Sequence, residues 1–452
     1  MNIIIAGGGK VGRTLARQLS AEGHDLTLVD KEGSVLDTTV EQFDVMAVQG
    51  NCASMSVLIR AGVRDADLLI AVTNADEVNL LCCMTAHGIN KKLHTIARIR
   101  NPEYTDQIYR MRDVFALSLI VNPEKQAARE IERLLKYPGF LRRDTFAKGR
   151  TEIVELRVDG SSKLCNVPLS EMNRIVKCRV LVCAVLHNGT AVAPSGSFVL
   201  REGDRIFVTA PAENLTILLK NLGIITRRVR NVILCGGGTL AYYLTQLLEK
   251  DNVNVQIIEQ DPVRCRRLAE LLPNSCVVQG DCSSQSLLDA EGIGSCDALV
   301  AMTGMDEMNM VLSLYATSRG VPQVITKLGR GENGALTDAM NLGSRICPRE
   351  LCSNNIVRYV RAMQNQSGAA ISVHSIADGQ AEAVEFHINE TTRNCGKPLK
   401  ELKLKPNVLI VSITHGSSTE IPGGDSFFKE GDTVVVVTSG RGVLRQFNDI
   451  FA

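Results

Sequence analysis

Short apolar runs alternate with longer amphipathic stretches over residues 2–121. The runs predict strands at 2–6, 25–29, 44–48, 67–71, 94–98 and 117–121, with helices in the gaps, for example over 11–22 and 75–86. Strand and helix in alternation is the pattern of βαβ units, which build a parallel sheet through right-handed crossovers. Residues 151–210 read differently. Their runs, at 152–158, 178–186 and 205–209, are short and broken by turn sequences such as Pro194-Ser195-Gly196. They predict a small α+β unit with a mainly antiparallel sheet. Between the two units, residues 123–136 form a predicted helix with Pro123 in its first turn, where the missing N–H has no intrahelical partner to lose.

The whole pattern occurs twice. Residues 3–19 return at 232–248 with an offset of 229, and Asp30 falls on Glu259 at the same offset. Gln49-Gly50-Asn51-Cys52 falls on Gln279-Gly280-Asp281-Cys282, and residues 69–79 fall on 299–309, both at 230. The small unit repeats as well: residues 165–169 match 395–399, and 202–208 match 430–436. Offsets this steady across separate blocks mean internal duplication. The expected fold is α/β, two Rossmann-like doubly wound parallel-sheet domains, each followed by a small α+β domain. The expected spans are 1–124, 144–227, 230–348 and 368–452, with junctions near 136–139, 227–230 and 364–368. The helix at 123–136 has its counterpart at 348–363. Both mix apolar and charged residues, and both are expected to carry association between chains.

Composition narrows the function. Of 452 residues, 45% are hydrophobic and 22% charged, which excludes a disordered chain. Lys plus Arg number 50 against 49 Asp plus Glu, so the chain lacks the positive excess of a large nucleic-acid interface. No apolar stretch approaches the roughly 18–20 residues of a membrane helix. The first apolar run lacks a basic leader, and a cytoplasmic location is expected. Fourteen cysteines include no Cys-x-x-Cys, and the seven histidines no His-Glu-x-x-His. The cysteines therefore read as small buried side chains, and no metal site is expected.

The chemistry lies in the glycines. Gly7-x-Gly9-x-x-Gly12 follows an apolar strand and opens a helix. The first glycine permits the turn, the second lets a pyrophosphate approach the backbone, and the third lets helix and strand pack. The helix N-terminus then faces the phosphates. Asp30, at the end of the second strand, stands where a ribose-binding acid belongs. A 2′-phosphate about 4 Å from that carboxylate would meet about 4 kcal/mol of repulsion per unit charge at an effective dielectric near 20, so NAD(H) is favoured over NADP(H). In half two the motif is Gly236-x-Gly238-x-x-Ala241 with Glu259. Thr73-Asn74 follows the fourth strand and Arg98 ends the fifth, both at the carboxyl edge where open α/β sheets bind ligands. Their counterparts are Thr303-Gly304 and Lys327. Asn51 and Asp281 lie on the same rims.

Catalytic machinery is not evident, and no catalytic residue is assigned. None of the seven tyrosines has a lysine four positions on, and no histidine sits in a recognisable acid–base constellation. An NAD-dependent oxidoreductase with an unrecognised catalytic group is the alternative. The order of units, repeated once, resembles the TrkA family of tandem RCK (KTN) proteins, cytoplasmic regulatory subunits of Trk/Ktr potassium uptake systems. The motifs that carry the resemblance are Gly-x-Gly-x-x-Gly, Gln-Gly-Asn/Asp-Cys, Thr-Asn/Gly-x-Asp-Glu-x-Asn and Glu-Gly-Asp. The resemblance implies NAD(H) binding, or ATP/ADP, by Gly7, Gly8, Gly9, Lys10, Val11, Asp30, Thr73, Asn74 and Arg98. In half two it implies Gly236, Gly237, Gly238, Thr239, Leu240 and Glu259. It also implies a homo-oligomeric ring, peripheral on the inner face of the membrane, that gates a membrane-embedded potassium-translocating subunit. A regulator of a different cation transporter is the nearer alternative.

Overall fold

The computed structural model describes residues 1–136, 140–160, 162–223, 228–329, 340, 342–363, 370–439, 444 and 446–452. Residues 137–139, 227 and 364–368 of the expected junctions lie outside them.

Half one opens with β1 (Asn2–Ala6), α1 (Lys10–Ala21), β2 (Asp25–Asp30), α2 (Gly33–Val40), β3 (Met46–Gln49), α3 (Met55–Arg60), β4 (Leu68–Ala71), α4 (Asp76–Ile89), β5 (His94–Arg98), α5 (Pro102–Arg110), β6 (Leu119–Val121) and α6 (Pro123–Lys136). The strands pair in parallel in the order β3-β2-β1-β4-β5-β6. Ile3–Ala6 and Leu68–Ala71 are wholly buried, as central strands covered on both faces must be. The sixth strand starts two residues later than its apolar run. Ala116 adopts a positive φ of 55° and the Leu117 N–H closes on the Arg112 carbonyl, so pairing with β5 begins only at Leu119.

The small unit comprises β7 (Arg142–Phe146), β8 (Thr151–Arg157), α7 (Leu169–Val176), β9 (Leu181–His187), β10 (Thr190–Val192), β11 (Arg205–Pro211) and α8 (Ala212–Leu222). Its antiparallel sheet runs β10-β9-β11-β8-β7. The edge strands β7 and β10 were not among the expected elements. Arg142-Arg143-Asp144-Thr145 has no apolar run, and it forms a strand because β8 offers it a free edge.

Half two repeats the plan with β12 (Asn231–Cys235), α9 (Thr239–Lys250), β13 (Asn254–Glu259), α10 (Pro262–Leu271), β14 (Cys276–Gln279), α11 (Gln285–Ala290), β15 (Ala298–Ala301), α12 (Asp306–Ser318), β16 (Gln323–Lys327), β17 (Ser344–Ile346) and α13 (Pro348–Met363). The second parallel sheet runs β14-β13-β12-β15-β16-β17. Its small unit holds β18 (Ala370–Ile376), β19 (Ala381–His387), β20 (Val408–His415), β21 (Ser418–Glu420) and β22 (Thr433–Ser439), in the order β18-β19-β22-β20-β21.

The halves exchange their connecting helices. Ala127, Ala128, Ile131 and Leu134 of α6 share a core with Leu240, Ala241, Leu244 and Leu248 of α9. Cys352, Ile356, Val357 and Val360 of α13 pack with Val11, Leu15, Ala16 and Leu19 of α1. Each connecting helix thus covers the helix that follows the glycine turn of the opposite half. At about 1.5–3 kcal/mol per fully buried aliphatic side chain, these seams bind the halves into one body. This corrects the expectation that α6 and α13 mediate association between chains: their apolar faces are consumed inside the chain. The small units meet as well, with Phe146, Cys183, Ala184 and Phe207 packed against Ile376, Ala383, Val411 and Val435. Thr151 and Ser412 hydroxyls lie 2.7 Å apart across that seam.

Candidate nucleotide sites

The glycine turn between β1 and α1 is built by close approach. Gly7 sits at φ +107°, and a Cβ there would lie 2.9 Å from the Thr73 amide nitrogen. A Cβ on Gly12 would stand 1.9 Å from the Gly7 carbonyl oxygen. Gly9, by contrast, would meet nothing within 4 Å. The turn is therefore closed toward the sheet and open at Gly9, ahead of the α1 N-terminus, where unpaired N–H groups and the helix dipole favour an anion.

Asp30 fixes this turn. Its Oδ2 accepts the Gly8 N–H at 2.6 Å and its Oδ1 the Glu32 N–H at 3.0 Å. Each carboxylate oxygen keeps lone-pair capacity for a hydroxyl. Glu259 does the same from one methylene further out, with Oε2 accepting from Gly237 N–H at 2.7 Å and Oε1 from Asp261 N–H at 2.9 Å. Half two adds a cation here: Arg264 Nη1 lies 3.3 Å from Glu259 Oε2.

The opposite rim is held by the last residue of the Thr-Asn/Gly-x-Asp-Glu-x-Asn motif, to which sequence reasoning assigned no site role of its own. Asn79, wholly buried, accepts the Thr73 N–H at 2.8 Å and the Thr73 hydroxyl at 2.7 Å through Oδ1. Its Nδ2 donates to the Arg98 carbonyl at 2.9 Å. Asn309 repeats every bond, to Thr303 at 2.7 Å twice and to the Lys327 carbonyl at 2.9 Å. The signal was present: a polar residue at one helical register in both halves, on a face otherwise buried by Cys82, Cys83 and Ala86.

Arg98 is drawn inward. Its Nη2 donates to the Thr73 carbonyl at 2.6 Å and lies 3.5 Å from Asn74 Oδ1, and burial, followed by the Arg100 charge, lowers its pKa. Lys327 donates to the Met302 carbonyl at 3.2 Å, and burial lowers its pKa against the pull of Asp306 and Glu124. Both cations therefore brace the rims. The structure brings Gly7, Gly8, Gly9, Asp30, Thr73, Asn74 and Arg98 to one carboxyl edge, and Gly236, Gly237, Gly238 and Glu259 to the other. Lys10 is exposed and Thr239 half-buried at the two helix starts, whereas the Val11 and Leu240 side chains enter the core. Only the backbone of those two can serve a ligand. Asn51 Oδ1 and Asp281 Oδ1 accept the N–H groups of Ala53 and Ser283 in matching turns.

Residues 3–123 and 232–345 match the TrkA-N domain family, and 153–223 and 383–452 the TrkA-C domain family. The chain is 32% identical over 444 residues to Trk system potassium uptake protein TrkA homolog 1 of Methanosarcina mazei, covering 96% of this chain and 97% of that one. The chain belongs to the TrkA family. A second TrkA relative, the Trk system potassium uptake protein TrkA of Haemophilus influenzae, is 32% identical over 460 residues, 100% of this chain and 98% of its own. The fold is shared with the crystal structure of the GsuK RCK domain, at a TM-score of 0.62 and 17% identity over 97% of this chain and 92% of that one. It is shared too with the GsuK channel bound to NAD, at 0.60 and 18% over 97% and 76%. The two segments that match the TrkA-N family carry the two glycine turns. No helix among the described residues is long and apolar enough to cross a membrane. Nor do three or more His, Cys, Asp or Glu side chains gather there as a metal ion would require.

Proposed function

We propose that this chain is the nucleotide-sensing regulatory subunit of a potassium uptake transporter, binding NAD(H), with ATP or ADP as competing ligands, at both glycine turns. The observation that carries this reading is the first turn: closed by Gly7 and Gly12, tied to Asp30, and open only at Gly9 before a helix N-terminus. The relatives named as potassium uptake proteins supply the transport context, and the GsuK channel bound to NAD shares the fold. Ligand binding that favours one arrangement of the halves would bias a membrane-embedded translocating subunit without chemistry on the nucleotide.

Association follows from a second pair of surfaces. Leu81 and Met84 on α4 are 53% and 40% exposed, and Val311 and Leu314 on α12 are 59% and 40% exposed. These are equivalent positions at offset 230, so each chain presents two like apolar faces, the requirement for joining copies into a closed ring. The ring would lie on the cytoplasmic face of its membrane partner. The test is calorimetric titration of the purified chain with NADH and with ADP. The proposal requires saturable binding that Gly9→Asp reduces, and it fails if neither nucleotide binds.

A further inference from the structure

Tyr243 lies on α9, just over one turn from the N-cap Gly238 of the second glycine turn. It is 6% exposed and lies in the core that α9 shares with α6. Its hydroxyl crosses into half one, where it donates to the Arg100 carbonyl at 3.0 Å and receives Asn122 Nδ2 at 3.0 Å. It also lies 2.9 Å from Thr105 Oγ1.

Those three partners sit where the first site is assembled. Arg100 Nη2 donates to the Asn74 carbonyl at 2.5 Å, and the Arg100 N–H binds Asp76 Oδ2 at 2.8 Å, so Arg100 holds the rim loop after β4. Asn122 caps α6, accepting the Lys125 N–H at 2.8 Å. Thr105 stands on α5, whose N-cap Asn101 also binds Asp76. One hydroxyl therefore ties the glycine-turn helix of site two to the rim of site one and to the start of a connecting helix.

The equivalent position in half one is occupied differently. The residue equivalent to Tyr243 in half one is Thr14, and its hydroxyl turns back to the Lys10 carbonyl of its own helix at 2.9 Å. Among the described residues, Thr14 makes no bond into half two. Resting on the nucleotide-binding reading above, we infer that Tyr243 is a positioning residue through which occupancy of the second nucleotide site sets the affinity of the first. A phosphate at the N-terminus of α9 fixes that helix. The buried hydroxyl passes its position to Arg100, and Arg100 sets the Asn74 loop. A buried bond of this kind has discrete arrangements, made or broken, and that is what coupling between sites requires.

The experiment is NADH titration of the full chain, with site one open or blocked by Gly9→Asp, each in the native and the Tyr243→Phe background. Coupling is reciprocal, so in the native background blocking site one, which fills first, should shift the site-two Kd about tenfold, inside the usual range of coupling between sites. With phenylalanine at 243 the shift should shrink to within about twofold, while both sites still fill and the ring still packs. Thr105→Val removes one partner from the half-one side and should reduce the shift in the same direction. It carries the comparison if Tyr243→Phe does not fold. An undiminished shift in both variants, or no shift in the native background, overturns the coupling while leaving nucleotide binding intact. A native chain that binds no NADH at all overturns the nucleotide-binding reading, and the coupling with it.

Discussion

The two glycine turns descend from one sequence and reach the same hydrogen-bond plan by different residues. Asp30 and Glu259 both tie the second glycine and the amide two residues on, from side chains of different length. Asn79 and Asn309 hold both rims identically. The differences fall elsewhere: Ala241 for Gly12, Gly304 for Asn74, Lys327 for Arg98, and Arg264 for Val35. The scaffold of each turn is kept by buried bonds that cost about 1–3 kcal/mol each to leave unmade, whereas other positions around the turns have drifted. A lysine is a point charge, and it cannot reproduce the forked contact of an arginine. Site one is therefore expected to bind the dinucleotide more tightly, by about tenfold for a 1.4 kcal/mol difference.

The largest effect should come from Gly9→Asp against Gly238→Asp. Both positions open onto free space, so a carboxylate there leaves the fold alone and meets a pyrophosphate head on. About a hundredfold loss at the altered site corresponds to roughly 2.7 kcal/mol, well within like-charge repulsion at short range. Gly9→Asp should remove the tight phase of an NADH titration and Gly238→Asp the weak one. The reverse assignment would make half two the principal sensor.

Next in size is Gly12→Ala. The added Cβ would stand 1.9 Å from a backbone oxygen, so the turn must open. Overpacking of this kind costs about 1–3 kcal/mol, seen as a lower Tm together with weaker NADH binding at site one. Ala241→Gly should leave NADH binding at site two unchanged and lower the Tm only by the ~1 kcal/mol that glycine costs inside a helix, because the second turn already accommodates the methyl group. Equal responses from the two variants would mean the turns are not differently packed.

How much of this could be read from the sequence follows from what each feature depends on. The parallel sheets and both connecting helices were legible, because continuous apolar runs and a helical period leave few alternatives. The polar edge strand Arg142–Phe146 was not, since its pairing is decided by the free edge of β8. The exchange of α6 and α13 was invisible for a related reason. An amphipathic stripe says that a helix needs a cover and not which half supplies it. The glycines and Asp30 were legible as a nucleotide motif, but their ties to one another were not. Arg264 falls on Val35 in half one, so the repeat could not flag it.

Cofactor choice should separate the sites by a smaller margin. Asp30→Ala is expected to weaken NAD(H) binding at site one and to narrow its advantage over NADP(H) by about tenfold, a fraction of the repulsion a 2′-phosphate would otherwise meet. In site two Arg264 already offsets the acid, so Glu259→Ala should change the ratio less. Competition of the two cofactors in each single-site variant measures this. An unchanged ratio in Asp30→Ala removes the acid from the ribose.

The smallest effect lies in the connecting helices. Glu130 on α6 has Asn355 at the matching position of α13. Burial, then the charge of Asp144, pushes the Glu130 pKa up to about 7, with Arg133, Arg143 and Arg142 opposing. A carboxyl whose folded pKa is raised holds its proton more tightly in the folded state than in the unfolded one. It therefore takes stability away as pH climbs from about 4.5 through 7, and no more above that. The gap of about 2.5 pKa units would amount to roughly 3 kcal/mol at full effect. Arg133 lies 3.6 Å away and the side chain is 15% exposed, so about 1 kcal/mol is the expected share. Glu130→Gln should then raise the Tm by a few degrees at pH 8 and leave it unchanged near pH 4.5. The neutral amide at Asn355 has no such dependence to lose, and Asn355→Gln should shift the Tm equally at both pH values. A Glu130→Gln variant with the same increment at pH 4.5 and pH 8 would show that the carboxyl is ionised throughout, and that the two connecting helices do not differ in this respect.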